Sequence, residues 1–487
     1  MSQVLKHSQP IGPKSADLPR VIAVDLDGTL TPTDTLVEAI LSLARRSPQL
    51  LLRFALTALT SGKAAAKIWL AQHVSCDAAA LPYNEELLTW LRVQRQNGRT
   101  LVLATASHES VGMAVAQHLG IFSDVIGSRE TNLSGERKAA VLDARYGASG
   151  YVYAGNAAVD LRVWSQTGRA IVVNARSAIC RKAQHRFEVE KVFERQGTDF
   201  RTLRRVLRIH QWSKNLLLFA PLLLAHSLAT ESWLRATFAF FAYSLCASSA
   251  YIMNDLLDLP DDRQHPDKRR RPFASGRFSV FWGLGLMPLL LVCGLGIAFA
   301  LGLDFGLVLV SYYVATLAYS LSLKRKPLLD IFCLASLYTW RIFAGSVATG
   351  TKLSEWLMAF SIFAFLSLAM VKRCSELKSV VDKGESKVSG RGYRVDDIAL
   401  VETFGAATAC TAVLILALYI ASPDVVRLYS HAKRLMLLCP VILFWFMRVW
   451  LLTHRRRMNS DPIVFALNDR VTYLIAMIVI LVGWLAT

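Results

Sequence analysis

Hydrophobic patterning changes character once along this chain, near residue 202. Before that point, short apolar runs rich in β-branched residues alternate with charged stretches of helical period. The runs opening VIAVDLDGTL at 21–30, LVLATAS at 101–107 and YVYAGNAAVD at 151–160 have the length and composition of buried strands. Strands alternating with helical stretches predict a parallel sheet with functional groups at the strand C-termini. Beyond about residue 215, apolar blocks alternate with short polar loops. Nine blocks can be marked, at about 215–228, 233–252, 280–301, 304–322, 329–349, 355–371, 401–421, 433–453 and 470–486. All but the first are near the length needed to cross a bilayer.

Composition sharpens this division. The 487 residues are 53% hydrophobic, yet the formal charge is +19. That pairing predicts an integral membrane protein with basic faces. The loops after the even-numbered blocks carry most of the Lys and Arg of the second half, so the positive-inside rule puts them, and the N-terminal half, in the cytoplasm. The charge excess follows membrane topology, which argues against nucleic-acid binding. No apolar leader is visible in the first 19 residues. The eight cysteines show no metal-type spacing and read as reduced packing residues.

Chemistry enters at residues 254–272, NDLLDLPDDRQHPDKRRRP, between the second and third blocks. Carboxylates are expensive at a membrane boundary and mark a functional site there. Asp255, Asp258 and Asp262 are spaced i, i+3, i+7, within roughly 60° of one helical face. Pro260 interrupts that run, which leaves Asp255 and Asp258 as the firmer pair. Hard oxygen ligands of this kind suit Mg²⁺, held by one or two carboxylates plus substrate phosphates. Lys268, Arg269, Arg270 and Arg271 follow at once, so the stretch predicts a site for a diphosphate. His265 reads as shaping the turn before Pro266.

The motif Asn254-Asp255-x-x-Asp258-x-x-x-Asp262 resembles the first aspartate signature of the UbiA superfamily of intramembrane prenyltransferases, over about residues 203–487. The resemblance implies an all-α domain of nine transmembrane helices. The second polar loop of that superfamily corresponds here to Tyr319 through Lys324, Arg325 and Lys326, followed by Asp330 and Arg341. It departs from the usual pattern: YxxxK becomes YxxxxK, and Asp330 has no acidic partner four residues on. The longer string NDxxDxxxDxxHPxKxxRP, with Gln211-Trp212-x-Lys214-Asn215 and Lys372-Arg373-x-Ser375-Glu376, is similar to the polyprenyl-phosphate (decaprenyl-phosphate) phosphoribosyltransferase branch. That resemblance implies Mg²⁺ held through Asp255, Asp258 and Asp262, with Asn254 beside them. It implies phosphate and substrate contacts from Lys214, Asn215, Lys268, Arg271, Tyr319, Lys324, Arg341, Lys372, Arg373 and Glu376.

In the first half, Asp25-x-Asp27-Gly28-Thr29 at the end of an apolar run resembles the haloacid-dehalogenase (HAD) superfamily of phosphatases, over about residues 20–178. Thr105, Gly135-x-x-Lys138, and Gly155-Asn156 with Asp160 follow in the order of that superfamily's motifs. The resemblance implies a Rossmann-like parallel sheet with a helical cap, here about 33–95. Asp25 would be the nucleophile, and Asp27 the general acid and base. Thr105 and Lys138 would hold the phosphoryl group. Asp25 and Asp160 would bind Mg²⁺ with the Asp27 carbonyl, and Asn156 stands where many members carry Asp. Residues 1–19 read as a polar tail. Residues 179–202, with Arg181, Lys182, Arg186, Lys191, Arg195 and Arg201, read as a basic linker near the acidic inner leaflet.

Together the halves predict an enzyme of the bacterial inner membrane. It would transfer 5-phosphoribosyl from its diphosphate to a polyprenyl phosphate and then remove the 5-phosphate. A conventional prenyltransferase, moving a polyprenyl group from its diphosphate to an aromatic or isoprenoid acceptor beside a regulatory or unrelated HAD domain, is the alternative. A transporter fits less well, because the charges gather at one face. Chain length of the lipid, downstream glycan and self-association into a homo-oligomer stay open.

Overall fold

The computed structural model describes residues 19–129, 131–195, 197, 199–265, 267–382, 391–458, 462–466 and 468–487. The expected polar tail before Pro19 lies outside them. Two compact units emerge. The first comprises residues up to Leu207 together with Ile252–Leu286, and the second comprises Arg208–Tyr251 with Met287–Thr487.

The first unit is built on six parallel strands in the order β3-β2-β1-β4-β5-β6. They are β1 (Val21–Val24), β2 (Thr100–His108), β3 (Asp124–Ser128), β4 (Tyr151–Gly155), β5 (Arg169–Val173) and β6 (Glu188–Phe193). Alternation of side chains along a strand sends each to one of two cores. Ile22, Val24, Leu101 and Leu103 face one core, while Ala23, Val102 and Ala104 face the other. Helices α4 (Glu85–Gln96) and α5 (Glu109–Leu119) cover the first face. Helices α6 (Glu136–Tyr146), α7 (Leu161–Thr167) and α8 (Ser177–Arg186) cover the second. Covered on both faces, these strands are the near-continuous apolar runs seen in the sequence.

The expected cap is smaller than 33–95. It consists of α1 (Thr35–Arg46), α2 (Pro48–Thr60) and α3 (Gly62–His73), packed on one another through Leu43, Leu70 and Val74. Helix α4 belongs to the sheet, because Leu87, Leu88 and Leu91 insert into its core. On α2, Leu52, Leu56 and Leu59 are exposed. The basic stretch 179–202 is also corrected. Its first part is α8 and β6, the sixth strand, which pairs with β5. Val189, Val192 and Phe193 pack in the core, and Arg99 clamps Glu190 at 2.5 Å, so the charges sit on a structured edge. A short helix, α9 (Phe200–Val206), follows.

In the helical half, seven helices among the described residues are long and apolar enough to cross a membrane: Thr230–Leu257, Val280–Leu301, Leu303–Leu321, Leu329–Thr349, Glu355–Asp382, Val395–Ile420 and Ala432–His454. The first apolar block forms a 3₁₀ segment, Ile209–Phe219, and a short helix α10 (Ala220–Leu224). Pro221 at the start of α10 fits this break. The last block is the 17-residue helix Arg470–Ala486. Labels follow as α11 (Thr230–Leu257), α12 (Leu259–Gln264), α13 (Val280–Leu301), α14 (Leu303–Leu321), α15 (Leu329–Thr349) and α16 (Glu355–Asp382). The apolar windows of α11 and α15 are 61% buried, against 17% in α13, so α11 and α15 are inner helices. The inner helices α11, α15 and α16 also carry the ionisable groups Asp255, Asp330, Arg341, Arg373 and Glu376. Charges placed this way are the mark of a site rather than of a lipid-facing surface.

Candidate active sites

The first centre sits at the C-terminal ends of β1, β2 and β4, adjacent strands with β1 in the middle. Asp25 follows β1, and its backbone N–H donates to the Ala154 carbonyl at 3.0 Å. Lys138, on the first turn of α6, donates to Asp25 Oδ1 at 2.7 Å and to the Tyr153 hydroxyl at 2.7 Å. Asp160 is buried; it accepts from the N–H groups of Asn156 and Ala157 at 2.9 and 2.8 Å, and from the Tyr153 hydroxyl. Asp27 accepts from the Thr35 N–H at 2.7 Å and from Ser107 Oγ at 2.6 Å. The Thr105 hydroxyl, at the end of β2, accepts from the Ser107 N–H at 3.0 Å. Gly28 has φ of +78°, and a Cβ there would lie 2.0 Å from the Asn156 side-chain nitrogen. The fourth position of the Asp-x-Asp-Gly motif therefore admits no side chain.

Burial raises both aspartates to about 6. For Asp25, Lys138 opposes the shift and the Asp160 charge adds to it. For Asp27 the next cause is Asp34, opposed by the hydrogen bond from Ser107. Among the described residues, no three His, Cys, Asp or Glu side chains converge as a ready metal site. The donor set at the first centre is two buried carboxylates, Asn156 and backbone carbonyls. Such hard oxygens fit Mg²⁺, which needs only one or two carboxylates. A cation here would relieve the repulsion that Asp160 exerts on Asp25.

The second centre is the aspartate loop. Helix α11 ends at Leu257, Asp258 caps α12, and Pro260 stands in the first turn of α12. The single helical face expected for the three aspartates is thus interrupted at Asp258. The pairing is also different from the one expected. Arg271 Nη1 donates to Asp255 at 3.1 Å and to Asp262 at 2.6 Å, and both carboxylates are buried. Asp258 instead accepts from Asn254 at 3.0 Å and is half-buried. Backbone bonds from Asp258 to Asn254 and from Asp262 to Asp258, both 2.9 Å, carry a near-helical path through Asp258, and Asp262, rather than Asp258, shares a guanidinium with Asp255. Burial raises Asp262, with Arg271 opposing. Two buried carboxylates with two neighbouring oxygen donors fit Mg²⁺ in the same way. Lys268 is exposed.

Two polar clusters lie inside the second unit. In one, Arg341 donates to Asn215 Oδ1 at 2.9 Å, to the Leu337 carbonyl at 2.6 Å and to the Tyr312 hydroxyl at 2.7 Å. Its guanidinium also lies 5.1–5.8 Å from the ring centroids of Tyr243, Tyr312 and Tyr338. Asn215 is held in turn by Ser244 at 2.9 Å, and Lys214 lies 5.7 Å from the Tyr338 ring. The guanidinium expected to bind phosphate is engaged on three sides by the protein. In the other cluster, Asp330 is fully buried and ion-paired with Arg373 and with Arg391, the latter at 3.0 Å. The Tyr319 hydroxyl donates to Asp330 at 2.8 Å, and Glu376 pairs with both arginines. Asp330 thus finds its partners from other segments rather than four residues on. Arg391 escaped the sequence reading; the one available signal was a lone Arg in the polar stretch after α16. Lys324 and Lys372 are half-buried.

Comparison with known proteins agrees with this division. Residues 216–486 match the UbiA prenyltransferase family, and residues 22–164 match the haloacid dehalogenase-like hydrolases. An uncharacterized protein, y4nM, of Sinorhizobium fredii is 38% identical over 93% of this chain and 89% of its own length. Nodulation protein NoeC of Azorhizobium caulinodans is 34% identical over 55% of this chain and 88% of its own. The decaprenyl-phosphate phosphoribosyltransferase of Mycolicibacterium smegmatis is 36% identical over 36% of this chain and 56% of its own. A HAD-like hydrolase domain thus precedes a multi-pass membrane transferase in one enzyme, and the chain belongs to the UbiA prenyltransferase family.

Proposed function

We propose that the membrane half transfers 5-phosphoribosyl from 5-phosphoribosyl diphosphate to a polyprenyl phosphate, and that the HAD domain then removes the 5-phosphate. The observation that carries the first step is the pair Asp255–Asp262, two buried carboxylates gathered on one guanidinium beside a basic run. The decaprenyl-phosphate phosphoribosyltransferase relatives support the substrate class. Asp330, already neutralised by Arg373 and Arg391, offers no second aspartate centre of the kind a conventional prenyl-diphosphate enzyme uses.

In transfer, a lipid phosphate oxygen attacks ribose C1 and the bond from C1 to pyrophosphate breaks. Positive charge builds on the ribose and negative charge on the leaving group. Asp255 and Asp262, with Asn254 and Asp258, would hold Mg²⁺, which supplies charge stabilisation for the departing pyrophosphate. Arg271 and Lys268 add fixed positive charge there without reorganising. Lys214, Asn215, Tyr319, Lys324, Arg341, Lys372, Arg373 and Glu376 position the substrates, Arg341 by holding Asn215 and the tyrosines.

In hydrolysis, Asp25 attacks phosphorus while the proton on Asp27 goes to the departing ribose 5-oxygen. Water then attacks the aspartyl phosphate, Asp27 takes its proton, and phosphate leaves. Lys138 and Thr105 hold the phosphoryl oxygens, and Asp25, Asp160, Asn156 and the Asp27 carbonyl would hold Mg²⁺. Joining the two activities raises the effective concentration of the intermediate at the phosphatase.

The working boundaries are about 20–193 for the HAD domain and 203–487 for the membrane domain. Nine crossings follow if the broken first block and Arg470–Ala486 each count as one, with both active centres cytoplasmic. The deciding experiment incubates the purified protein with Mg²⁺, 5-phosphoribosyl diphosphate and undecaprenyl phosphate, and reads the lipids by mass spectrometry. A ribosyl lipid without 5-phosphate is expected. Consumption of a prenyl diphosphate instead would establish the conventional prenyltransferase reading.

A further inference from the structure

The loop that carries Asp255 and Asp262 has a second set of contacts within the first unit. Arg263, on α12, makes a two-pronged ion pair with Glu38 on cap helix α1, Nη1 to Oε2 at 3.0 Å and Nη2 to Oε1 at 2.6 Å. Both side chains are largely buried, at 7% and 13% exposure. The Nε–H of Arg263 donates to the Ala274 carbonyl, and Thr33 Oγ1 donates to Glu38 Oε1 at 2.5 Å. Two more contacts lie along the same helix. Asp261 pairs with Arg45 at 2.5 Å near the end of α1. Gly276, at φ +71°, packs so closely beneath the start of α1 that a Cβ would lie 2.4 Å from Pro32 Cγ. The loop therefore runs against α1 at its beginning, its first turn and its last.

Helix α1 matters because it reaches the catalytic groups. Thr35, one turn before Glu38, donates its N–H to Asp27, and its hydroxyl is 2.8 Å from that of Ser107, which also bonds Asp27. Between α1 and the strand end lies a cavity of about 110 Å³. That is several times the roughly 10–15 Å³ a single water needs, enough for a sugar-sized group. Its polar lining includes Lys67, Arg263, Ser107 and the carboxylates of Glu38 and Asp77, and its apolar lining includes Leu36 and Val74. Cations for a phosphate, carboxylates and hydroxyls for sugar hydroxyls, and an apolar wall suit a phosphorylated sugar on a lipid.

We propose that Arg263, supplied by the aspartate loop of the transferase, is a positioning residue of the phosphatase: through Glu38 it sets α1 and completes the pocket that receives the lipid-linked sugar phosphate. This rests on the phosphatase reading given above. The loop thus serves both centres. A charge-assisted, two-pronged bond is geometrically specific, so Lys cannot replace Arg263.

The test uses the full-length protein in detergent and synthetic farnesyl-phosphoryl-ribose 5-phosphate, which bypasses the transfer step. Phosphate release is measured for wild type, Arg263→Ala, Glu38→Gln and the reversal Glu38→Arg/Arg263→Glu. Arg263→Ala and Glu38→Gln should each raise KM about tenfold, the equivalent of about one charge-assisted hydrogen bond, with kcat within about twofold. The reversal should bring KM back toward wild type. An unchanged KM in both single variants overturns the proposal, and so does a fall in kcat that tracks a lowered melting temperature without a change in KM. Failure of the reversal to restore KM overturns the Glu38 pairing as the route. Wild type that releases no phosphate overturns the phosphatase reading and this inference with it; wild type that is active beside a normal Arg263→Ala overturns this inference alone.

Discussion

At the scale of single residues, the first centre turns on where protons sit. In the proposed hydrolysis Asp25 must be ionised to attack, and Asp27 must be protonated to give its proton to the leaving oxygen. Both are held near 6 by burial. Above that value Asp27 loses its proton, and below it Asp25 gains one, so phosphatase kcat/KM should peak near pH 6 and fall on both sides. Added Mg²⁺ favours ionised Asp25 and should move the acid limb lower. Lys138→Met removes the charge that opposes the rise and should move it higher. Stopped assays across pH 4.5–8 with and without Mg²⁺ read both limbs; a profile flat through pH 6 would refute the assignment of Asp27. Asp25→Asn replaces the nucleophile by an amide. Its lipid product should be about 80 Da heavier than that of wild type, the mass of one retained phosphate ester. Identical lipid masses from the two proteins would show the domain inactive on this product. The motif residues of this centre were readable because they lie in short local strings. The contacts of Asp27 with Thr35 and Ser107 were not, since Ser107 comes from another strand and is 80 residues away.

At the scale of elements, the aspartate loop and the Asp330 cluster give different expectations. Asp255→Ala and Asp262→Ala should each abolish most of the transfer while leaving the protein inserted, because Arg271 keeps the other carboxylate as its partner. Asp258→Ala should be the milder change, since Asp258 is only half-buried while Asp255 and Asp262 are buried on the Arg271 guanidinium. Transfer rates in purified protein, with size-exclusion profiles as a control for folding, decide this; full activity of Asp262→Ala sinks the Asp255–Asp262 pair. Asp330→Ala leaves Arg373 and Arg391 without their shared carboxylate. Breaking a buried pair from one side costs about 3–5 kcal/mol, so this variant should melt well below wild type, whereas a change of less than a few degrees would show the cluster to be structurally idle. The i, i+3, i+7 spacing located the stretch, but which two of its carboxylates meet was decided by Arg271, which reaches Asp255 and Asp262 from further along the chain. The same contrast holds for 179–202, where the charges were visible but the pairing of β6 with β5 was not.

At the scale of the whole molecule, the asymmetry of Lys and Arg over the nine proposed crossings predicts a cytoplasmic N-terminus and a periplasmic C-terminus. Reporter tags at the two ends and within 383–390, which lie outside the described residues, would read this; a C-terminus on the N-terminal side would show one crossing miscounted. What the amino-acid sequence determined alone is what local patterns encode. Strand and span lengths follow from hydrophobic periodicity, and the HAD motif and the aspartate string follow from residue types at short spacing. Even the change of regime near residue 202 is a property of the chain read in order. Only the tertiary structure decided which distant groups meet. Arg391 with Asp330, Arg271 shared between Asp255 and Asp262, and Glu38 with Arg263 join residues that no periodicity links, 225 positions apart in the last case. The physical reason is that a buried charge must find an opposite charge wherever packing brings one, and packing is settled by the fold as a whole rather than by neighbours in sequence.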